Sequence, residues 1–141
     1  MREIIFLLLY SHDFAECSEE DSTPLVMREL AVARRYVHEA QVQKNLILEK
    51  LPQIDEQIKQ AASAYEFERI PRIERNILRL SVYELLYTPD LPAKVAMAEA
   101  MRLARKFSSA ESASFVNAIL DAIYNSGAVH ESTPLSTVCA E

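Results

Sequence analysis

One glycine, Gly127, stands in a chain of 141 residues of which half are apolar. Hairpins and sheet corners use glycine for left-handed turns, so its scarcity excludes a β-rich domain and leaves helices joined by short connections. Cysteine is nearly as sparse, with two. Cys17 follows the first apolar run and Cys139 lies in a polar tail, which fits reduced thiols in the cytoplasm better than a disulfide framework. No apolar run reaches membrane-spanning length. Ile4 to Tyr10 covers seven residues, too few to cross a bilayer. Glu3 also interrupts the basic flank that a signal peptide needs, and no small-residue cleavage site follows.

The usual signatures of catalysis are missing as well. No glycine-rich loop can cradle a phosphate, and no Gly-x-Ser-x-Gly turn exposes a nucleophile. The histidines, His12, His38 and His130, fall on different expected elements and lack Glu-x-x-His or His-x-x-x-His spacing, so neither a metal nor a cofactor is expected. Glu66, Glu68 and Glu74 alternate with arginines and read as solvated ion pairs rather than paired catalytic carboxylates. Basic charge is short too, with a net charge of −6. Up to Thr23 one arginine faces six acids, residues 24–60 carry six basic and five acidic groups, and residues 61–141 carry eight and ten. That balance argues against a general nucleic-acid binder, which carries a broad basic field.

What the chain does have is helical periodicity. At 141 residues it reads as one domain able to bury about two thirds of its unfolded surface. Arg2 to Glu16 is apolar on most sides, the pattern of a central helix. Thr23 and Pro24 offer an N-cap and a first helical residue. A helical pattern follows from Leu25 toward Leu51, with Leu30, Val37, Leu46 and Leu48 among its apolar positions and a break expected near Glu39 to Gln43. Pro52 opens a helix in which Ile54, Ile58, Ala61 and Tyr65 keep the period. The chain is then arranged around Ile70 to Thr88. Pro71 suits the first helical position, Pro89 ends the helix, and Ile73, Ile77, Leu78, Leu80 and Leu85 form its apolar stripe.

Arg72, Arg75 and Arg79 follow i, i+3, i+7 spacing on another face of that helix, giving an ordered row of charge that serves either as a solvated face or as a phosphate track. Pro89 to Pro92 is a compact turn, and Ala96, Ala100, Leu103 and Phe107 mark the buried side of the next helix. Ser108 and Glu111 have the spacing of a capping box for a last helix carrying Phe115, Ile119 and Ile123. Gly127 ends it, and residues 128–141 read as a disordered tail. The expectation is all-α, with about seven helices in one bundle-like domain over residues 1–127. Tyr10, Tyr83, Tyr87 and Phe115 suit either a core or a base-stacking surface.

The words of the second half carry more. Arg-Ile-Glu-Arg-Asn-Ile-Leu-Arg-Leu-Ser-Val-Tyr-Glu-Leu-Leu from Arg72, then Asp90-Leu91-Pro92, Lys94-Val95-Ala96, Glu99-Ala100, Leu103 to Phe107 and Phe115 to Asp121 resemble the NusB family of transcription antitermination factors. Arg2-Glu3 leading to Leu9-Tyr10-Ser11 is similar to that family's first helix. The likeness covers most of Arg2 to Ile123 and is weak between Ser18 and Tyr65. It implies two small packed helical bundles in one domain. It also implies a non-enzymatic adaptor on the RNA polymerase antitermination complex, one that binds single-stranded boxA-type RNA in nascent ribosomal transcripts together with the ribosomal protein NusE.

By the resemblance, Tyr10, Arg79, Glu111 and Phe115 match positions near the family's RNA surface, and Glu74 matches one at its NusE contact. Arg2, Arg72 and Arg75 join the expected RNA contacts as cations, since single-stranded RNA is read by stacking and by charged side chains. Glu74 is expected to point away from the apolar stripe. The family's members occur as monomers and as dimers. The chain departs from the family pattern in its N-terminal arginines, of which only Arg2 is present, and in Ala98 and Ala118, where asparagine and glycine are usual. A helical domain of this kind also precedes the catalytic domain of one class of ribosomal RNA cytosine methyltransferases, but this chain has no room for a methyl-donor fold. The alternative reading is a helical module that binds protein, with RNA contact weak or lost.

Overall fold

The computed structural model describes residues 1–13 and 34–127. Among them are six α-helices and no strand: α1 (Arg2–Asp13), α2 (Arg34–Glu49), α3 (Leu51–Ala61), α4 (Arg72–Tyr87), α5 (Ala93–Phe107) and α6 (Ala110–Asn125), with a short 3-10 turn at Phe67–Arg69. The count is close to the seven expected. The proposed Thr23–Pro24 helix start, Leu25, Leu30 and the tail from residue 128 lie outside the described residues. The chain divides into two compact units, Met1–Leu51 and the part that begins at Pro52.

In the first unit α1 packs on α2. Ile4, Ile5, Phe6, Leu8 and Leu9 are all buried. Positions so spread around the helix circumference need neighbours on more than one side, as the unbroken apolar run requires. Helix α2 runs straight through Glu39 to Gln43, where a break was expected. Its buried face is Val37, Ala40, Gln41, Lys44 and Ile47, an i, i+3, i+4, i+7, i+10 series that one unbroken helix satisfies. Leu46, expected inside, is 38% exposed because it sits off that series.

The second unit is built on α4, which packs against α5 and α6, while α5 and α6 pack on each other. Pro71 is the residue before the first turn of α4, one position earlier than expected, and its carbonyl accepts from the Arg75 N–H at 2.9 Å. Ile77, Leu78, Leu80, Val82 and Leu85 are buried. Two polar residues within that stripe bond to their own helix. Asn76 Nδ2 donates to the Arg72 carbonyl and Ser81 Oγ to the Ile77 carbonyl, each at 2.9 Å, so their burial leaves no polar group stranded. A turn closed by Leu91 N–H on the Thr88 carbonyl at 3.1 Å leads into α5. Ala96, Ala100 and Leu103 fill the buried face of α5, and Phe107 is half-buried.

Helix α6 starts one residue later than the expected capping box. Ser109, not Ser108, is its cap, with Oγ accepting from the Ser112 N–H at 3.1 Å. Ser112 therefore occupies the third helical position and Glu111 the second, exposed in the first turn. At the other end Ser126 N–H bonds back to the Ala122 carbonyl at 3.0 Å, and Gly127 follows at φ +83°, the left-handed conformation that glycine adopts without strain. Helix α3 ends at Ala61, so Tyr65 does not continue its buried face and is 60% exposed.

Candidate functional site

The arginine row of α4 divides. Arg72 is exposed, whereas Arg75 and Arg79 are half-buried. Arg79 holds Asp55 of α3 in a two-pronged ion pair, Nε to Oδ1 at 3.0 Å and Nη2 to Oδ2 at 3.1 Å, with the two side chains only 11% and 17% exposed. A third bond runs from Arg79 Nη1 to Asn76 Oδ1 at 3.3 Å. Parallel N–H···O pairs of this kind fix geometry as well as energy. The Arg75 guanidinium lies 5.3 Å from the centre of the Phe67 ring and Arg79 5.7 Å, with Lys59 Nζ at 5.2 Å. Phe67 thus gathers cations around its π-face. The shared face expected from the i, i+3, i+7 spacing, as a solvated face or a phosphate track, is corrected: one arginine is exposed and the other two are half-buried toward α3 and the 3-10 turn.

Glu74 is also corrected. It is 91% buried rather than pointing to solvent, having a relative exposure of 9%. With Ile77, Leu78, Ser81 and Leu85 it forms an i, i+3, i+4, i+7, i+11 series, so helix phase carries it into the stripe. Its carboxylate accepts from Ser112 Oγ in the first turn of α6. Ser112 Oγ in turn lies 2.7 Å from Ser108 Oγ and 3.3 Å from Ser109 Oγ. A chain of hydroxyls thus links the cap of α6 to a carboxylate on α4, and a negative charge at a helix N-terminus is favourable.

Beside Glu74 opens a cleft of about 220 Å³ lined by Tyr65, Arg69, Ile70, Pro71, Glu74 and Phe115. The Tyr65 and Phe115 rings meet edge to face, centroids 5.4 Å apart at 89°. Phe115 is half-buried, and Arg69 is exposed beside Glu66 at 3.3 Å. The remaining expected residues are accessible. Glu111 is exposed, Arg2 and Tyr10 are half-buried on α1, and Tyr10 stacks on Phe6 at 6.0 Å. Tyr83 and Tyr87 pair at 5.4 Å on α4, half-buried. Ala98 and Ala118 are both exposed on their helices.

Sequence reasoning brought Glu74 and Phe115 forward, and the structure places both on one cleft. It missed Tyr65 as a wall of that cleft, Ser112 as the partner of Glu74 and Asp55 as the partner of Arg79. Separations of 38 residues for Glu74–Ser112 and 24 for Arg79–Asp55 leave no local pattern to read. Among the described residues no group of histidine, cysteine and carboxylate side chains has the arrangement of a metal site. No helix among them is long and apolar enough to cross a membrane.

The NusB family model matches residues 1–125. Transcription antitermination protein NusB of Chlamydia pneumoniae is 37% identical over 133 residues, covering 94% of this chain and 83% of that protein. The structure of T. maritima NusB aligns with a TM-score of 0.77 at 30% identity, covering 95% of this chain and 94% of the other. A crystal structure of antitermination factors NusB and NusE in complex with dsRNA aligns with a TM-score of 0.75 at 25% identity, covering 89% and 93%. With the fold, the family model and relatives of this identity in agreement over nearly the whole chain, the protein belongs to the NusB family.

Proposed function

We propose that this protein is a non-enzymatic transcription antitermination factor. It binds single-stranded boxA-type RNA of nascent ribosomal transcripts together with the ribosomal protein NusE, and it acts as an adaptor on cytoplasmic RNA polymerase. The observation that carries the reading is the likeness, over 89% of this chain, to a structure of NusB and NusE in complex with dsRNA. The chemistry of the second unit supports it. Arg69 and Arg72 are exposed cations suited to phosphate, Phe115 offers a partly open ring, and Glu111 is an exposed acceptor for base edges. Arg2 and Tyr10 offer a cation and a ring on the first unit. The test is a pair of fluorescence-anisotropy titrations of labelled boxA-like RNA at matched salt, with and without NusE. The proposal expects binding that NusE strengthens. No binding in either titration would leave the protein as a protein-binding module. The observation favouring that second reading is the engagement of Arg75 and Arg79 around Phe67 and Asp55, which reduces the charge offered to phosphate.

A further inference from the structure

The exposed residues of α5 are Lys94, Val95, Ala98, Arg102, Arg105 and Lys106. At about 100° per residue they fall within one arc of about 120°, and from Lys94 to Lys106 that arc runs about 18 Å along the helix. Four of the six are cations, in a chain whose net charge is −6. The one carboxylate of this helix, Glu99, is half-buried at the margin of the arc and accepts from Arg102 Nη2 at 2.9 Å. Helix α6, packed on α5, carries Glu111 and Asp121 and no lysine or arginine. Positive charge in this unit is thus gathered on one helix face.

Stability of the helix does not account for the row. Arg105 and Lys106 lie in the last turn, where cations suit the helix dipole, but Lys94 stands in the first turn, where a cation opposes it. Arg102 is three residues from Arg105 and four from Lys106, spacings at which like charges repel. A polyanion laid along the face relieves that repulsion. A protein partner suits it less well, because protein interfaces are built around large apolar or aromatic anchors and are depleted in lysine, and Val95 is the one large apolar side chain exposed here. A phosphate backbone needs only cations at intervals, and the small Ala98 between them lets it come close. The row also ends beside expected RNA contacts, since Lys106 leads through Ser108 and Ser109 into the helix that carries Glu111 and Phe115.

We propose that the solvent face of α5 is a second RNA track, one that holds the phosphates of nucleotides flanking the boxA-type element without reading their sequence. The proposal rests on the RNA-binding reading above and extends it to a helix that none of the expected contacts occupies.

The test uses the full chain with saturating NusE in anisotropy titrations over a range of salt. One labelled RNA is a short boxA-like element, and the other is the same element flanked on both sides by polyuridine. For the wild type the flanked RNA should bind at least about tenfold more tightly, with a log-log salt slope steeper by about 2–3, since each phosphate neutralised on a single strand contributes about 0.7. Combining Lys94→Gln, Arg102→Gln, Arg105→Gln and Lys106→Gln should abolish both differences while the short RNA still binds. Lys94→Gln alone should flatten the slope for the flanked RNA by about 0.7. Exchanging lysine for arginine and arginine for lysine at the four positions should keep the gain, because the track reads charge. Equal binding of the two RNAs by the wild type would overturn the track and leave the functional reading standing. A gain that survives in the fourfold glutamine variant would overturn it too. So would weakened NusE binding by that variant in calorimetry with the gain intact, in favour of an acidic protein surface on this face. Failure of the wild type to bind either RNA would remove both readings.

Discussion

Tyr65 and Phe67, two residues apart, anchor aromatic neighbourhoods in which the same side-chain types do different things. Around Phe67 the charges are closed on each other: Arg79 grips Asp55, and Arg75, Arg79 and Lys59 lie within 5.2–5.7 Å of the ring. Around Tyr65 and Phe115 lies a cleft lined by the buried Glu74, which among the described residues is bonded to the Ser112 hydroxyl and to no cation. Arginine and glutamate on the same helix are thus engaged differently, Arg79 in an ion pair with α3 and Glu74 with a hydroxyl of α6. The deciding factor is what lies opposite each side chain once α3 and α6 are in place.

The largest effect that would break this contrast is at Asp55. Asp55→Ala leaves Arg79 largely enclosed without its counter-ion. The expected loss of stability is about 2–3 kcal/mol, below the roughly 3–5 kcal/mol of a fully enclosed pair because both side chains keep some solvent contact. Urea denaturation reads it directly. Unchanged stability with weakened RNA binding would instead place Arg79 on the open side. Next comes Ser112→Ala, which strips Glu74 of its donor and leaves a buried acceptor unsatisfied. About 1–3 kcal/mol of stability should be lost. The same assay should show Glu66→Ala, at an exposed pair, within about 0.5 kcal/mol of wild type.

These magnitudes also explain what could be read from the sequence. The apolar stripe of α4, the wide buried face of α1, the turn at Pro89 and the role of Gly127 follow from spacing within one segment, and local spacing is what a sequence displays. Glu74 was misplaced although its spacing with Ile77, Leu78, Ser81 and Leu85 was in view, because a carboxylate is normally assigned to solvent before phase is considered. Length alone suggests a break in α2, because a buried series that includes the polar Gln41 and Lys44 does not show as an apolar stripe. Asp55–Arg79, Glu74–Ser112 and Tyr65–Phe115 join distant segments. The resemblance brought Glu74 and Phe115 forward separately, but only the fold shows that they border one cleft.

A middle-sized effect concerns RNA and the protein partner together. With Arg2 as its one arginine near the N-terminus and two arginines of α4 engaged internally, the chain alone should hold RNA weakly at physiological salt. A basic partner supplies charge, and linkage requires RNA to tighten the protein contact by the factor by which the partner tightens RNA. The expected factor is at least about tenfold, a coupling of roughly 1.4 kcal/mol. Anisotropy titrations with and without saturating NusE measure it. Equal affinities would show that the two surfaces act independently. Close behind is Ser109→Ala, which removes the cap of α6 and should cost about 1 kcal/mol in the urea assay.

The smallest effect is the most direct comparison of an open arginine with a closed one. Arg72 and Arg79 lie two turns apart on α4, yet Arg72 is exposed and Arg79 is clamped to Asp55. If Arg72 meets a phosphate, Arg72→Ala gives up the counterions released at that contact. The plot of log affinity against log salt for single-stranded RNA should then flatten by about 0.7, with stability unchanged. Arg79 makes no such exchange, so the conservative Arg79→Lys, which keeps the charge beside Asp55 but loses the two-pronged geometry, should leave the slope as it is and lower stability modestly. Equal slopes for wild type and Arg72→Ala would take Arg72 off the RNA. A flattened slope for Arg79→Lys would mean that the Asp55 pair opens when RNA binds, and the boundary between the closed and open neighbourhoods would have to be redrawn around Phe67.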